Sequence, residues 1–249
     1  MSRRRMLELG GKGLAVAATA GAGITLIPNE SLAIDWLSWF RRDTQMEHGG
    51  KVQSIEGRAF ADQKPMQVGQ TIRSGQQVKV SNPGSVVIVL EDNTIFKIYG
   101  GAIIELALKR MEESIIRLIT GAIQAVVPAG SNFLVAGPAA TIGVKGTVIY
   151  REVFGEHPAP GKTIEGDYPI PAGVNDYFCG CFGDVDFLDK HTGEPFHTAH
   201  SRYHEAYFLD PGTKNMLVKA PMLNHFDQGI RELIDLQPGQ KHDASWLKH

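Results

Sequence analysis

Cys179-Gly180-Cys181 holds the only two cysteines in a chain of 249 residues. They sit in Asp176-Tyr177-Phe178-Cys179-Gly180-Cys181-Phe182-Gly183-Asp184-Val185-Asp186-Phe187, an alternating string that reads as extended chain. Side chains two apart on a strand point to the same face. Both thiols therefore belong on one side of a sheet, within reach of one ligand. A histidine-rich stretch follows, with His191, His197, His200 and His204, and His225 comes later in Asn224-His225-Phe226-Asp227. Thiolates and imidazoles together suit zinc, with copper(I) or iron as further choices. The same two cysteines have other uses. They could close a disulfide, strained at this spacing, pack as buried thiols, or act as redox thiols. The residues alone leave these four readings open.

The elements that must position such a cluster are mostly strands. Val78-Lys79-Val80 alternates, and Asn82-Pro83-Gly84 is a strong turn signal. Ser85–Leu90 is a nearly continuous apolar run, as in a buried strand. Glu91-Asp92-Asn93 marks a further turn, and strands are expected at 94–99, 103–108, 114–118, 121–127 and 133–135. Short strands at regular spacing with no long helix between them predict an all-β fold. Stacked face to face, they would form a twisted β-sandwich or a short β-solenoid with sheets about 10 Å apart. Gly69, Gly75, Gly121 and Gly146 are expected at strand ends with positive φ. Gly143-Val144-Lys145-Gly146-Thr147 lacks the first glycine of a phosphate-binding loop and leads into a strand, so that reading fails on context. Residues 156–173 carry Pro158, Pro160, Pro169 and Pro171 and read as a surface loop. Leu223, Phe226, Ile230, Leu233 and Ile234 form an amphipathic stripe that predicts a short C-terminal helix with His225 in its first turn. The tail after Pro238 is polar and expected to fray.

The middle of the chain resembles the FecR domain, a β-rich extracytoplasmic module of bacterial surface-signalling and envelope proteins. The blocks are Val68-Gly69-Gln70-Thr71-Ile72-Arg73-Ser74-Gly75, then Val86 to Thr94, then Ala140-Thr141-Ile142-Gly143-Val144-Lys145-Gly146-Thr147-Val148-Ile149-Tyr150. The family pattern runs roughly L-x-x-G-D-x-I-x-T-G, a strand ending D-G-S, L-x-x-G, and T-P-x-A-x-x-x-V-R-G-T-x-F. This chain has Gln70 for Asp, Ser74 for Thr, Asn93-Thr94 for Gly-Ser and Lys145 for Arg. The resemblance covers residues 51–153 and implies a sandwich or solenoid of FecR type. At Asp176–Phe187 it implies a terminal hairpin, strand–Gly–strand. More weakly, Cys179-Gly180-Cys181, Tyr203-His204-Glu205 and Asn224-His225-Phe226-Asp227 resemble a C-terminal extension of some exported members, with Tyr203 and Glu205 as departures. On that resemblance the ligand set is Cys179, Cys181, His204 and His225 around one metal ion, with Glu205 or Asp227 as partner to an imidazole. His191, His197 and His200 are then solvated loop residues. Four protein ligands would close the site, as in a structural metal centre.

The N-terminus resembles a twin-arginine export signal. Arg3 and Arg4 precede an Ala/Gly-rich apolar stretch from Gly13 to Ile27, and Ser31-Leu32-Ala33 fits a small-x-small cleavage site. Such a signal predicts export to the periplasm or extracellular face, and no segment after it is long and apolar enough to span a membrane. The full chain carries a formal charge of −2. Without residues 1–33 it holds 21 basic and 25 acidic residues, a charge of −4. That balance argues against a nucleic-acid partner. The expected organisation is a signal (1–33), a lead-in with Trp36, Leu37, Trp39 and Phe40 (34–50), a FecR-like β domain (51–153) and a Pro/Gly-rich loop (154–175). A Cys/His-containing extension ending in a helix (176–237) and a tail (238–249) follow. FecR regulators pair this domain with a cytoplasmic anti-sigma segment and a spanning helix, neither of which is read here. The expected function is a non-catalytic envelope module that binds a protein partner. The alternatives are a metal- or thiol-dependent enzyme or redox protein, and a cell-wall or polysaccharide-binding module.

Overall fold

Alternating apolar residues set one face of each strand toward a common interior, and glycines decide where that face changes. The computed structural model describes residues 49–110, 113–210, 216–239 and 241–248. The export segment with Arg3 and Arg4, and Trp36 to Phe40 of the lead-in, lie outside those residues. The strands are β1 (Gly49–Ala61), β2 (Lys64–Pro65), β3 (Thr71–Arg73), β4 (Gln77–Val89), β5 (Ile95–Tyr99), β6 (Ile103–Arg110), β7 (Glu113–Val126), β8 (Phe133–Ala136) and β9 (Thr141–Val153). A small hairpin, β10 (Gly161–Thr163) and β11 (Gly166–Tyr168), interrupts the region expected to be loop. Then come β12 (Asp176–Leu188), β13 (Pro195–Ser201), β14 (Glu205–Asp210), β15 (Met216–Ala220) and one helix, α1 (Asp227–Leu236).

All strands except the small hairpin belong to one continuous sheet that folds over itself into a sandwich. Five long strands serve both layers. The second half of β7, for example, pairs with β5 and β9, whereas its first half pairs with β6 and β8. Likewise β12 pairs with β14 through its first half and with β13 through its second, and lies along β9 throughout. The parallel β7–β8 pair is flanked by antiparallel neighbours.

Where a strand passes from one layer to the other, the inward face must switch between odd and even positions. In β7, Leu118 and Ile123 both face the interior, which a regular strand could not arrange. Gly121 lies between them at φ 78°, and a Cβ there would sit 2.5 Å from the Cα of Ala102. Gly146 in β9 (φ 65°) and Gly183 in β12 (φ 97°) occupy equivalent bends. Thus the expected positive φ at Gly69, Gly75, Gly121 and Gly146 is present at all four, but Gly121 and Gly146 stand inside strands rather than at strand ends. For the same reason the turn expected at Asn82-Pro83-Gly84 is a bend within β4, and the hairpin expected in Asp176–Phe187 is the single strand β12.

The interior holds Val52, Ile88, Phe96, Ile104, Phe133, Ile149, Phe178 and Phe187, all essentially without solvent exposure. Across it lies an ion pair that composition gave no reason to expect. Arg151 is fully buried and bonds Asp176 twice, Nε to Oδ1 at 3.0 Å and Nη2 to Oδ2 at 2.7 Å. Its remaining donors reach the carbonyls of Val135 and Ala140. The Ala139 amide donates to Asp176 as well. A side chain at Gly137 would collide with the guanidinium, 2.3 Å away.

A second core lies on the outer face of one layer. Val148 and Tyr150 of β9, Tyr177, Cys179 and Cys181 of β12 and Phe208 of β14 are covered by Leu223, by Ile230, Leu233 and Ile234 of α1, and by Leu247. A ten-residue helix is marginal alone in water, so α1 is held by this packing. Each of its fully buried aliphatic side chains contributes about 1.5–3 kcal/mol. The helix starts later than the stripe suggested. Phe226 is the N-cap residue, extended and 42% exposed, and His225 precedes the helix rather than occupying its first turn. No helix among the described residues is long and apolar enough to cross a membrane.

Candidate metal centre

The site is built on the outer face of β12. Tyr177, Cys179 and Cys181 point outward in register, and Cys179 is flanked by Tyr150 of β9 and Ala206 of β14. The register shift between Gly180 and Phe182 comes immediately beside Cys181. Both cysteines are completely buried, and their sulfurs are not bonded to each other.

His204 reaches the cysteines from the turn before β14. Its backbone is at φ 45°, an uncommon conformation for a non-glycine residue. The amide of His204 donates to the Cys181 carbonyl at 2.9 Å, which fixes the turn against β12. In the ring, Nδ1 lies 3.6 Å from the Cys179 sulfur, and Nε2 lies 2.7 Å from Asp227 Oδ1. An ionised carboxylate only accepts, so Nε2 carries a proton, and Nδ1 is the ring nitrogen turned to the sulfur.

His225 arrives from the opposite side. Asn224, at φ 58°, exchanges hydrogen bonds with Lys162 of β10: its amide donates to the Lys162 carbonyl and its Oδ1 accepts from the Lys162 amide. The Asn224 side-chain amide also donates to Glu152. With the loop so held, the His225 ring stacks on Tyr150 at 4.3 Å and 12°. His225 Nδ1 donates to the Leu223 carbonyl at 2.6 Å. Its Nε2 is buried and has no hydrogen-bond partner in the protein. A buried lone pair without a donor is uncommon and calls for a reason.

Sγ of Cys179 and Cys181 and one ring nitrogen each of His204 and His225 lie within 4.8 Å of one another. With metal–sulfur bonds of about 2.3 Å and metal–nitrogen bonds of about 2.0 Å, the edges of a tetrahedral site run roughly 3.3–3.8 Å. The Cys179–His204 separation of 3.6 Å falls in that range. The set is compact enough for one ion. Burial pushes the Cys179 thiol up, but the Cys181 thiol and both imidazoles outweigh it and hold Cys179 well below the ordinary thiol range. Burial and the neighbouring Cys179 sulfur push Cys181 the other way. Burial lowers His204, yet Cys179 and Asp227 more than compensate, so it is raised.

The structure thus brings Cys179, Cys181, His204 and His225 together and sets Asp227 behind His204. Glu205 is turned away, its carboxylate bonded to Lys219 and to the Tyr207 hydroxyl. His191, His197 and His200 are exposed as expected, but His197 and His200 stand on β13 rather than in a loop, His200 against Asp184. Sequence reasoning missed three contributors. Tyr150 supports His225, and Asn224 shapes its loop; the Asn-His adjacency was the available signal. The third is the tail, which is docked rather than frayed: Trp246 stacks on Phe182 at 5.0 Å, and the Lys248 amide donates to Asp227 Oδ2 at 2.9 Å.

No protein-family profile matches the chain, and no curated protein matches it. Among solved structures, two crystal structures of a candidate anti-sigma factor from Parabacteroides distasonis ATCC 8503 are similar to it. Each aligns with a TM-score of 0.41 and 13% identity over 58% of this chain and 59% of that one. The chain therefore spans about three fifths of the length of those structures.

Proposed function

We propose that this chain is a non-catalytic binding or sensing module of FecR type in the bacterial envelope, with its C-terminal part fastened by one metal ion, zinc by preference. The ligands are Cys179, Cys181, His204 and His225. One observation carries the metal reading: each imidazole has one nitrogen committed to an oxygen acceptor, Asp227 or the Leu223 carbonyl, and the other turned toward the two buried sulfurs. Carboxylate- and carbonyl-oriented imidazoles beside thiolates are the arrangement that zinc selects. Bound there, the ion would cross-link β12, the turn before β14 and the loop before α1.

The competing chemistry is a cysteine nucleophile, because Cys179, His204 and Asp227 line up as nucleophile, base and orienting carboxylate. Burial argues against it. Cys179 has no exposed surface, and the His204 and Asp227 side chains are 4% and 2% exposed. A substrate could not reach the sulfur. The envelope location and a protein partner rest on the FecR-like blocks and on Arg3 and Arg4. Replacing Arg3 and Arg4 by Lys should leave the chain in the cytoplasm, read by cell fractionation; undiminished export would remove that support.

Elemental analysis with a thiol count tests the site. One zinc per chain is expected, with no reactive thiol until the protein is denatured and chelated. Cys179→Ser with Cys181→Ser should abolish the metal and loosen residues 176–248. Two readily titratable thiols and no metal would overturn the reading.

A further inference from the structure

Beyond the four ligands, the site has a cover. Residues 241–248 come after α1 in the chain and lie across Phe182 beside the candidate metal centre. The segment is pinned at its start, where the His242 amide donates to Gln237 Oε1. It is tightened by Asp243, which accepts from both the amide and the hydroxyl of Ser245. The Trp246 indole donates to the Asp243 carbonyl and lies flat on Phe182. Leu247 is 8% exposed and completes the outer core. Trp246 also stands 6.0 Å from the His204 ring and 6.5 Å from Tyr203, centroid to centroid.

The end of this segment is tied to the ligand shell through one carboxylate. Asp227 Oδ1 receives His204 Nε2, while Oδ2 receives the Tyr203 hydroxyl at 3.2 Å and the Lys248 amide at 2.9 Å. Lys248 Nζ sits 3.9 Å from the centre of the Tyr203 ring, closing the same corner from outside. A metal on His204 Nδ1 makes Nε2–H a stronger donor and rewards a fixed, ionised Asp227. The Lys248 amide helps fix it. Docking of the segment and occupation of the site therefore favour each other, and the coupling is reciprocal.

We propose that residues 241–248 are a strap that closes over the metal centre and governs the rate at which the ion is exchanged. The proposal rests on the metal reading above. An ion held by fully buried sulfurs beneath Trp246 and Leu247 leaves only when the strap lifts. Conversely, the strap is held less firmly when the ion is gone.

The test uses the full chain loaded with zinc and transferred to excess chromogenic chelator, with release followed in time. Trp246→Ala with Leu247→Ala strips the cover. Lys248→Pro removes the amide that reaches Asp227, and Lys248→Ala, which keeps that amide, is its control. Both cover variants should still take up one zinc but release it faster. For Lys248→Pro the gain over Lys248→Ala is about ten- to a hundredfold, the worth of one hydrogen bond to a charged acceptor. Hydrogen exchange at Leu247 and Lys248 should also be slower in the zinc-loaded chain than after chelation. Equal release rates with zinc bound in every variant would overturn the strap and leave the metal reading standing. A full chain that takes up no zinc would overturn both.

Discussion

Asp227 joins two jobs in one side chain, orienting His204 with one oxygen and receiving the tail with the other. Asp227→Asn keeps the shape but discards the charge that a metal-bound imidazole needs. Zinc affinity should fall about ten- to a hundredfold, as for other outer carboxylates, measured by competition with a chelator of known affinity; unchanged affinity would reduce Asp227 to a packing residue. Arg151 and Asp176 invite a different measurement. Removing one partner leaves a buried charge unpaired, so Arg151→Ala should cost roughly 3–5 kcal/mol in denaturant unfolding. The double change Arg151→Met with Asp176→Leu should cost less than Arg151→Ala alone; equal losses would mean that packing, not charge, sets the value. At this scale Cys179 and Cys181 stood out as the two cysteines of the chain, whereas His204 and His225 were singled out among nine histidines by the resemblance of their flanking residues to a FecR-type extension. Arg151 was not, since nothing local distinguishes a buried arginine on an alternating strand from an exposed one. Tyr150 was hidden for the same reason: its contact with His225 joins residues far apart in the chain.

Among the elements, the bends in the long strands deserve the sharpest test. Gly121→Ala forces a side chain both into a left-handed backbone and against Ala102. Gly130 shares the positive φ, 89°, but has open space around it. Gly130→Ala should therefore cost about 1–2 kcal/mol from backbone strain alone, and Gly121→Ala clearly more, compared by their unfolding midpoints. Equal costs would show that the bend at Gly121 tolerates a side chain. These bends also explain where reading by pattern stopped. Glycine and proline mark a break in alternation, but a turn and an in-strand face switch look alike locally; the difference lies in which neighbours the two halves find. Thus Asn82-Pro83-Gly84 and Gly183 suggested separate strands and proved to be corners of single ones. The helix was legible through Ile230, Leu233 and Ile234, whereas its start was not, because Leu223 is buried by a loop and continues the apolar spacing without being helical.

At the scale of the whole molecule, the described residues form two cores of unequal independence. The sandwich interior is closed by strands that run through both layers, while the outer core depends on α1, the loop around His225 and the tail. Removing zinc should raise hydrogen exchange in residues 222–248 and leave Phe96, Phe133 and Ile149 protected; uniform loosening would show that the ion supports the sandwich itself. The order of the ligands along the chain adds a temporal consequence. The strands that flank the site on one side end at Val153, the two sulfurs follow in β12, one imidazole comes after β13, and the other only just before α1. A nascent chain therefore has its sandwich strands largely made before it owns a complete set of donors. On the proposed metal reading, capture of the ion would record that translation has passed His225, so that a loaded protein would certify its own completeness to that point.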